Sequence, residues 1–239
     1  MKISITIILL LFALFSCKTD NKKQLVKEKT VKENIILSKF PMLLNFDKVD
    51  NESFLETDEN PTWLSTAYYQ FFYLGKLSDT ITLEDKIYFD YEFEYLNPYK
   101  EYYIEWDNEW DKENPHKSSL DTLIELQPNT SIINNNSFPV LIRNNNKDTV
   151  TIGYGSQIPI IMEAIDSLGN WEPIQRSFTY KCGNGVGSII LPPNEIVITF
   201  APIYKGSYKT QLRLTLGNNK SKQFLGYINY KQLKSISNE

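Results

Sequence analysis

Acidic residues are the ones in this sequence whose type and spacing could support catalysis or metal binding. Two segments, 86–95 and 101–107, alternate apolar with polar residues on either side of the turn signal Asn97-Pro98. This alternation predicts the two strands of a β-hairpin. With residues 96–99 as the loop, one face of the hairpin is aromatic or apolar. The other face carries two pairs of opposed carboxylates, Glu94 with Glu101 and Asp90 with Glu105, and also Asp107 opposite Tyr88.

Opposed carboxylates repel each other, because their Cβ atoms lie about 4.5–5.5 Å apart across a sheet. Three arrangements would relieve the repulsion. The side chains could be solvated, or one carboxyl could stay protonated, as in the carboxyl pairs of retaining glycosidases, which lie about 5–5.5 Å apart. A hard cation such as calcium could also bridge carboxylates of this set: Asp90, Glu94, Glu101, Glu105 and Asp107. We adopt the solvated arrangement, so no cofactor is expected, and keep calcium binding and glycan hydrolysis as alternatives.

The candidate nucleophiles and the glycine-rich segment favour structural roles. His116 is the single histidine and lies in a polar segment, Asn114 to Lys117, where a solvent-exposed imidazole is expected. Cys182 ends a predicted strand and is expected to be a small buried residue. The glycines of segment 183–187 precede Ser-Ile-Ile-Leu-Pro-Pro, which cannot open the helix that a dinucleotide-binding loop requires. The sequence therefore predicts no catalytic residue, an inter-strand loop at 183–187 and a non-enzymatic protein.

Short strands must position these residues, because no long helical period follows residue 40. The aromatic run 67–74 predicts a strand, with a short helix over 62–73 as the alternative. Further strands are predicted at about 120–126, 138–143, 149–154, 158–165, 174–182, 195–201, 207–216 and 223–230. Such spacing predicts an all-β fold, an antiparallel β-sandwich. Alternation along 208–216 predicts two faces for that strand, one with Tyr208, Thr210, Leu212, Leu214 and Leu216 and the other with Lys209, Gln211, Arg213 and Thr215.

Residues 119–234 resemble an immunoglobulin-like sandwich in size and strand count, although the Cys…Trp…Cys signature is missing. Residues 39–118 are interpreted as an aromatic-rich N-terminal β-subdomain. The four tryptophans are expected to plug the edges of the core, with stacking on a glycan as the alternative: Trp63, Trp106, Trp110 and Trp171.

Charge and cysteine content exclude two classes. The chain has 25 basic and 29 acidic residues and a net charge of −4, whereas nucleic-acid binders present a basic footprint. Nucleic acid is therefore not expected as a partner. With only two cysteines, the chain can form at most one internal disulfide, and the core must supply the stability.

The N-terminus combines a positive start, Lys2, with an apolar run over 3–15 and the sequence Leu14-Phe15-Ser16-Cys17. This stretch resembles the lipobox of bacterial lipoprotein signal peptides. The resemblance implies cleavage before Cys17, removal of residues 1–16, and a lipidated Cys17 that holds the protein to membrane lipid. A plain secretory signal and an uncleaved anchor are the alternatives. Residues 17–38, the lipidated cysteine and a polar segment, predict a flexible linker.

Lys18 follows the cysteine, where the resemblance to an inner-membrane retention signal would require Asp. An outer-membrane location, facing the periplasm or the cell surface, is therefore expected. The predicted function is that of a lipid-anchored, non-enzymatic β-sandwich that binds a protein or glycan partner or serves in an envelope assembly. The alternatives are an envelope glycan hydrolase that uses the paired carboxylates and a periplasmic inhibitor or immunity-type lipoprotein.

Overall fold

A computed structural model describes residues 39–49, 65–84, 99–104, 117–118, 123–178 and 187–234. All of them belong to one compact unit, Leu37–Glu239. Cys17 and its linker lie outside the described residues. None of the helices in the described ranges is long and apolar enough to cross a membrane.

Strands dominate the described part, and the predicted all-β class is confirmed. The strands are β1 (Met42–Leu44), β2 (Thr66–Ala67), β3 (Tyr69–Lys76), β4 (Thr80–Thr82), β5 (Tyr103–Ile104), β6 (Lys117–Ser118), β7 (Ile124–Pro128), β8 (Ser137–Asn144), β9 (Val150–Tyr154), β10 (Gln157–Ile158), β11 (Ile161–Ile165), β12 (Trp171–Pro173), β13 (Arg176–Ser177), β14 (Ser188–Leu191), β15 (Glu195–Pro202), β16 (Tyr208–Leu216), β17 (Asn219–Lys220) and β18 (Phe224–Ile228). The helices in the described ranges are two 3-10 turns, Phe46–Lys48 and Lys100–Tyr102, and one α-helical turn, α1 (Lys231–Lys234).

Five of these strands form a sheet in which β12, β11, β16 and β17 follow in order and β18 also pairs with β16. The predicted alternation of β16 is confirmed, since Leu212 and Leu214 are buried while Lys209 and Gln211 are exposed. Met162 and Ala164 of β11 lie on the same buried face, opposite Leu214 and Leu212. This sheet therefore has one face in the core and one outward face.

A second, nine-stranded sheet runs in the order β5, β14, β9, β10, β3, β15, β8 and β7, with β6 paired to β9. Its strand β15 is buried along both faces rather than on alternate residues. Val197 and Ala201 pack in the core cluster shared with the five-stranded sheet. Ile196, Ile198 and Phe200 pack in a second cluster on the opposite face.

The N-terminal segment covers that opposite face. β1 and β4 pair in parallel, and Leu43, Phe46 and Ile81 pack in or against the second cluster. Phe46 and Phe72 lie with ring centroids 5.5 and 5.1 Å from the ring of Phe200. The central strands are therefore enclosed between apolar residues on both faces, an arrangement that continuous apolar runs allow.

Several sequence predictions are refined by the structure. The aromatic run is a strand, so the helical alternative over 62–73 is wrong where the residues are described. The single strand predicted at 158–165 is two strands, β10 and β11, because Pro159 interrupts them and Ile160 N donates to Ile158 O at 2.8 Å. The prediction missed β14, which follows the glycine segment and pairs with β9.

The predicted division at residues 118/119 adjoins residues outside the described part and stays a prediction. Strand β3, which belongs to the predicted N-terminal subdomain, pairs with both β10 and β15 of the predicted sandwich. The two predicted regions thus contribute strands to one sheet.

A buried polar network crosses the core beside β3. The Tyr69 hydroxyl and the Met162 backbone N–H both donate to Gln175 Oε1, each at 2.8 Å. Gln175 Nε2 donates to the Tyr204 hydroxyl at 2.9 Å. Burial raises the pKa of Tyr69 well above its usual value, and burial raises the pKa of Tyr204 to about 12. Both hydroxyls are neutral near physiological pH, and each forms a hydrogen bond with the Gln175 side chain that satisfies its buried polar atoms.

These raised pKa values predict alkaline destabilisation. An unfolded tyrosine titrates near pH ~10, so between pH ~10 and 12 the unfolded chain binds fewer protons than the folded chain. The free energy of unfolding is therefore fully present below pH ~10 and falls as the pH rises above it. Urea unfolding of the Tyr204→Phe variant should show a shallower decline between pH 10 and 11 than the unmodified protein shows. Tyr227→Phe, at a half-exposed tyrosine, is the control, and an equal decline in all three proteins contradicts the prediction.

Candidate functional site

Of the residues in the predicted carboxylate pairs, the structure describes only Glu101. Glu101 lies exposed in the 3-10 turn Lys100–Tyr102, and its predicted strand begins only at Tyr103. The placement of Glu101 in a strand is therefore wrong, whereas its proximity to Glu94, which lies outside the described residues, stays a prediction. Residues three apart share one face of a 3-10 helix, so Tyr99 and Tyr102 both turn into the core, where both are buried.

The remaining predicted site residues fall in ranges that the structure does not describe: Asp90, Glu94, Glu105, Asp107, His116, Cys182 and Cys17. Within the described ranges, no group of three or more His, Cys, Asp or Glu side chains could hold a metal ion. The calcium alternative thus rests on residues outside those ranges.

Tyr102 belongs to a cluster of tyrosines beside Glu195 at one end of β3 and β15. Burial raises the pKa of Tyr102 far above its usual value, and its hydrogen bond to the Glu195 carboxylate raises it further. Burial also raises the pKa of Tyr99 to about 12. A phenol activated as a general base or nucleophile would instead need a lowered pKa. With raised pKa values the Tyr99 and Tyr102 hydroxyls are neutral near physiological pH, so they pack in the core and can donate hydrogen bonds.

The outward side chains of the five-stranded sheet form a second constellation, which we call the outer face. Direct cross-strand pairs put their members on one side of the sheet: Glu163 with Arg213 and Pro173, Ile165 with Trp171, Ile161 with Thr215, Thr215 with Lys220, Gln211 with Leu225, and Lys209 with Tyr227. Strands β12, β11, β16, β17 and β18 all contribute. The alternation along 208–216 places Lys209, Gln211 and Arg213 on one face. The sequence did not show that β11 and β12, which lie well before β16 in the chain, would pair beside them.

The central part of the outer face is held rigidly by Arg213. Arg213 Nε donates to Glu163 Oε2 at 2.6 Å, and both side chains are largely buried. The guanidinium carbon of Arg213 also lies 4.1 Å from the centroid of the Trp171 ring, in cation–π contact. Because Arg213 covers one face of the indole, that face of Trp171 is not free to stack on a sugar.

Toward β18 the outer face becomes cationic and exposed. Leu225 is 55% and Tyr227 50% exposed, and Lys209 Nζ lies 5.8 Å from the centroid of the Tyr227 ring. Lys209 and Lys220 are exposed, and the one ion pair within the described ranges, Arg213–Glu163, involves neither of them. The edge of the face thus combines apolar surface with positive charge that no described acid neutralises.

A sequence signal for this region exists and was missed. Residues 196–238 contain seven basic and no acidic residues, although the whole chain is acidic. The basic residues are Lys205, Lys209, Arg213, Lys220, Lys222, Lys231 and Lys234. The net charge of the whole chain does not reveal this local excess of basic residues. Only the strand pairing shows which of these residues share a surface.

Comparison of the chain with protein-family models, with curated proteins and with solved structures finds no match.

Proposed function

We propose that this protein is an outer-membrane lipoprotein whose ectodomain binds an envelope partner, a protein or a glycan, through the outer face. The anchor is the lipidated Cys17, and the ectodomain is a non-enzymatic, immunoglobulin-like β-sandwich. In an envelope assembly the same face would contact a neighbouring subunit, which on this proposal is another form of partner binding.

One observation carries the binding role. Leu225 and Tyr227 are about half exposed on one side of an otherwise well-packed sheet, next to Lys209, whose charge no described acid neutralises. Aromatic side chains are enriched where proteins bind partners, and exposed Tyr anchors contribute most when they become desolvated. A positive charge beside such an anchor adds electrostatic complementarity toward an acidic partner. The outer face offers both features on one packed sheet.

The sandwich architecture is supported by the shared core cluster. Met162 and Leu214 of the five-stranded sheet and Val140 and Ile142 of the nine-stranded sheet belong to one buried cluster. Two sheets that enclose a common core are the defining feature of sandwiches. The second cluster and its N-terminal cover are additions to that plan.

The anchor is supported by the sequence Leu14-Phe15-Ser16-Cys17 and by the polar linker that follows it. A flexible linker of about twenty residues spans roughly 25 Å, which leaves the ectodomain free to present its outer face. Two acyl chains suffice for stable anchoring, and the lipoprotein modification would supply three.

Affinity capture with the intact lipidated protein from native envelope tests the binding role. The double variant Leu225→Ala with Tyr227→Ala should lose at least about tenfold of the captured partner, because truncating a buried anchor at an interface costs more than about 1 kcal/mol. Protease or glycosidase treatment of the envelope beforehand distinguishes a protein from a glycan.

The matched control is Ile133→Ala with Met42→Ala, which truncates exposed apolar residues outside the outer face. This control should capture as much partner as the unmodified protein. Equal loss in both double variants, or no loss in either, would remove the outer face as the binding site.

A further inference from the structure

Strand β18 forms an edge of the five-stranded sheet. In the part of the chain that the structure describes, it pairs with β16 alone, over Phe224–Ile228. An edge strand presents a row of backbone N–H and C=O groups that another extended chain can pair with.

The backbone groups that face this open edge can be assigned from the neighbouring hydrogen bonds. Leu214 N donates to Ser221 Oγ, and Ser221 N donates to Leu214 O, each at 2.9 Å. The backbone groups of Leu214 therefore point away from β11, toward the side of β16 where β17 and β18 lie.

Backbone direction alternates along a strand, so Thr210 and Leu212 point the same way as Leu214. Their partners in β18 are Gly226 and Phe224, whose backbone groups are engaged with β16. The N–H and C=O groups of Leu225 and Tyr227 consequently face the open edge. The same two residues carry the exposed side chains of the outer face, so one segment offers both backbone pairing and apolar contact.

The positive charge beside this edge indicates the kind of partner that would bind there. Lys209, Lys220 and Lys222 are exposed, and no acid lies between residues 196 and 238. A second copy of this chain paired edge to edge would bring like charges together, which disfavours self-association. An extended segment with acidic side chains would place carboxylates near these lysines.

We infer that the partner supplies an acidic polypeptide segment that adds to β18 as an extra β-strand. This inference rests on the proposed function, because it names the partner class of the same outer face. Backbone bonds to Leu225 and Tyr227 would supply the pairing. Side-chain contacts with Tyr227 and with the lysines would select the sequence.

Synthetic peptides test the inference with the full-length chain in detergent. The probe is a fluorescent twelve-residue peptide that alternates glutamate with valine, measured by anisotropy, with hydrogen exchange at residues 225 and 227 to locate it. We expect binding that weakens as salt rises. A peptide with lysine in place of glutamate, and an acidic peptide N-methylated along one edge, should each bind at least about tenfold more weakly, because they lose the charge attraction and the backbone bonds.

The matched variants are Leu225→Pro and Leu225→Ala. Both remove the leucine side chain, but only proline removes the outward N–H, and proline is tolerated where an edge-strand N–H faces solvent. Leu225→Pro should weaken binding of the acidic peptide about five- to tenfold relative to Leu225→Ala. Lys209→Glu with Lys220→Glu should weaken it about tenfold, whereas the exposed control Lys147→Glu should have no effect.

Equal binding of the N-methylated peptide, or of the lysine peptide, overturns the inference, as does absence of peptide binding. Protection of residues 225 and 227 by phosphatidylglycerol vesicles in place of the peptide also overturns it, in favour of a membrane-facing surface. If the proline variant fails to fold, the N-methylated peptide still decides. Any of these failures leaves the capture experiment with Leu225→Ala and Tyr227→Ala as a separate test of the proposed function.

Discussion

Replacing Cys17 by serine is expected to abolish incorporation of labelled palmitate and to leave an unprocessed precursor. The acyl groups of a lipoprotein are attached to the cysteine sulfur and then to its amino group after cleavage, so a serine hydroxyl cannot replace the thiol. Each buried methylene contributes about 0.8 kcal/mol to membrane binding, and the loss of three chains would remove the anchor altogether. Palmitate labelling, precursor size and membrane fractionation measure the effect.

The second cysteine provides the matched control. Cys182→Ser removes the other thiol of the chain and should leave labelling, processing and membrane retention unchanged. Normal processing and membrane retention of the Cys17→Ser variant would contradict the lipoprotein interpretation. The N-terminus would then be interpreted as a plain secretory signal or an uncleaved anchor.

Replacing Phe200 by alanine is expected to lower the free energy of unfolding by about 3–5 kcal/mol, the usual cost of removing a buried phenylalanine. Phe200 is 5% exposed and meets the rings of Phe46 and Phe72 in the second cluster. Its removal would leave a cavity between β15 and the N-terminal cover. Urea unfolding of the full-length protein measures the change.

Leu168→Ala is the control, because this leucine is 83% exposed at the turn between β11 and β12. Its effect should stay within about 0.5 kcal/mol, as is usual for surface substitutions. A loss below about 1 kcal/mol for Phe200→Ala would show that the N-terminal segment does not pack on this face in solution.

The proposed binding role and the glycan-hydrolase alternative depend on different residues. A glycan hydrolase would need the predicted carboxylates, four of which lie outside the described residues, and Glu101 occupies a turn. The proposed binding role depends instead on residues of β16, β17 and β18, all of them described. Loss of partner capture in the outer-face variants would therefore support binding independently of the acidic segment.

Local pattern sufficed for the elements whose environment differs between their two faces. The alternation of β16 predicted its buried and exposed residues, because one side of that strand meets the core and the other meets solvent. The aromatic run predicted β3 for a different reason: this strand is buried along most of both faces, and its aromatic residues favour strands. Likewise, the lipobox resemblance needs only contiguous residues, and it stays a prediction.

Tertiary packing decided the features that depend on distant partners. The two-sided burial of β15 depends on a cover supplied by residues 40–49, about 150 positions earlier in the chain. Glu101 lies in a 3-10 turn rather than in its predicted strand, and this turn puts Tyr99 and Tyr102, three residues apart, on one buried side. In each case the chain gains buried apolar area that a periodicity of two does not reveal.

The outer face shows most clearly which features followed from the sequence and which depended on the tertiary structure. The sequence by itself determined that residues 196–238 carry seven basic residues and no acid. It did not determine that Glu163 would neutralise Arg213, or that Lys209 and Tyr227 would lie side by side at a sheet edge. Those neighbours are set by the register between strands, and register depends on the whole hydrophobic pattern of both sheets rather than on any one segment.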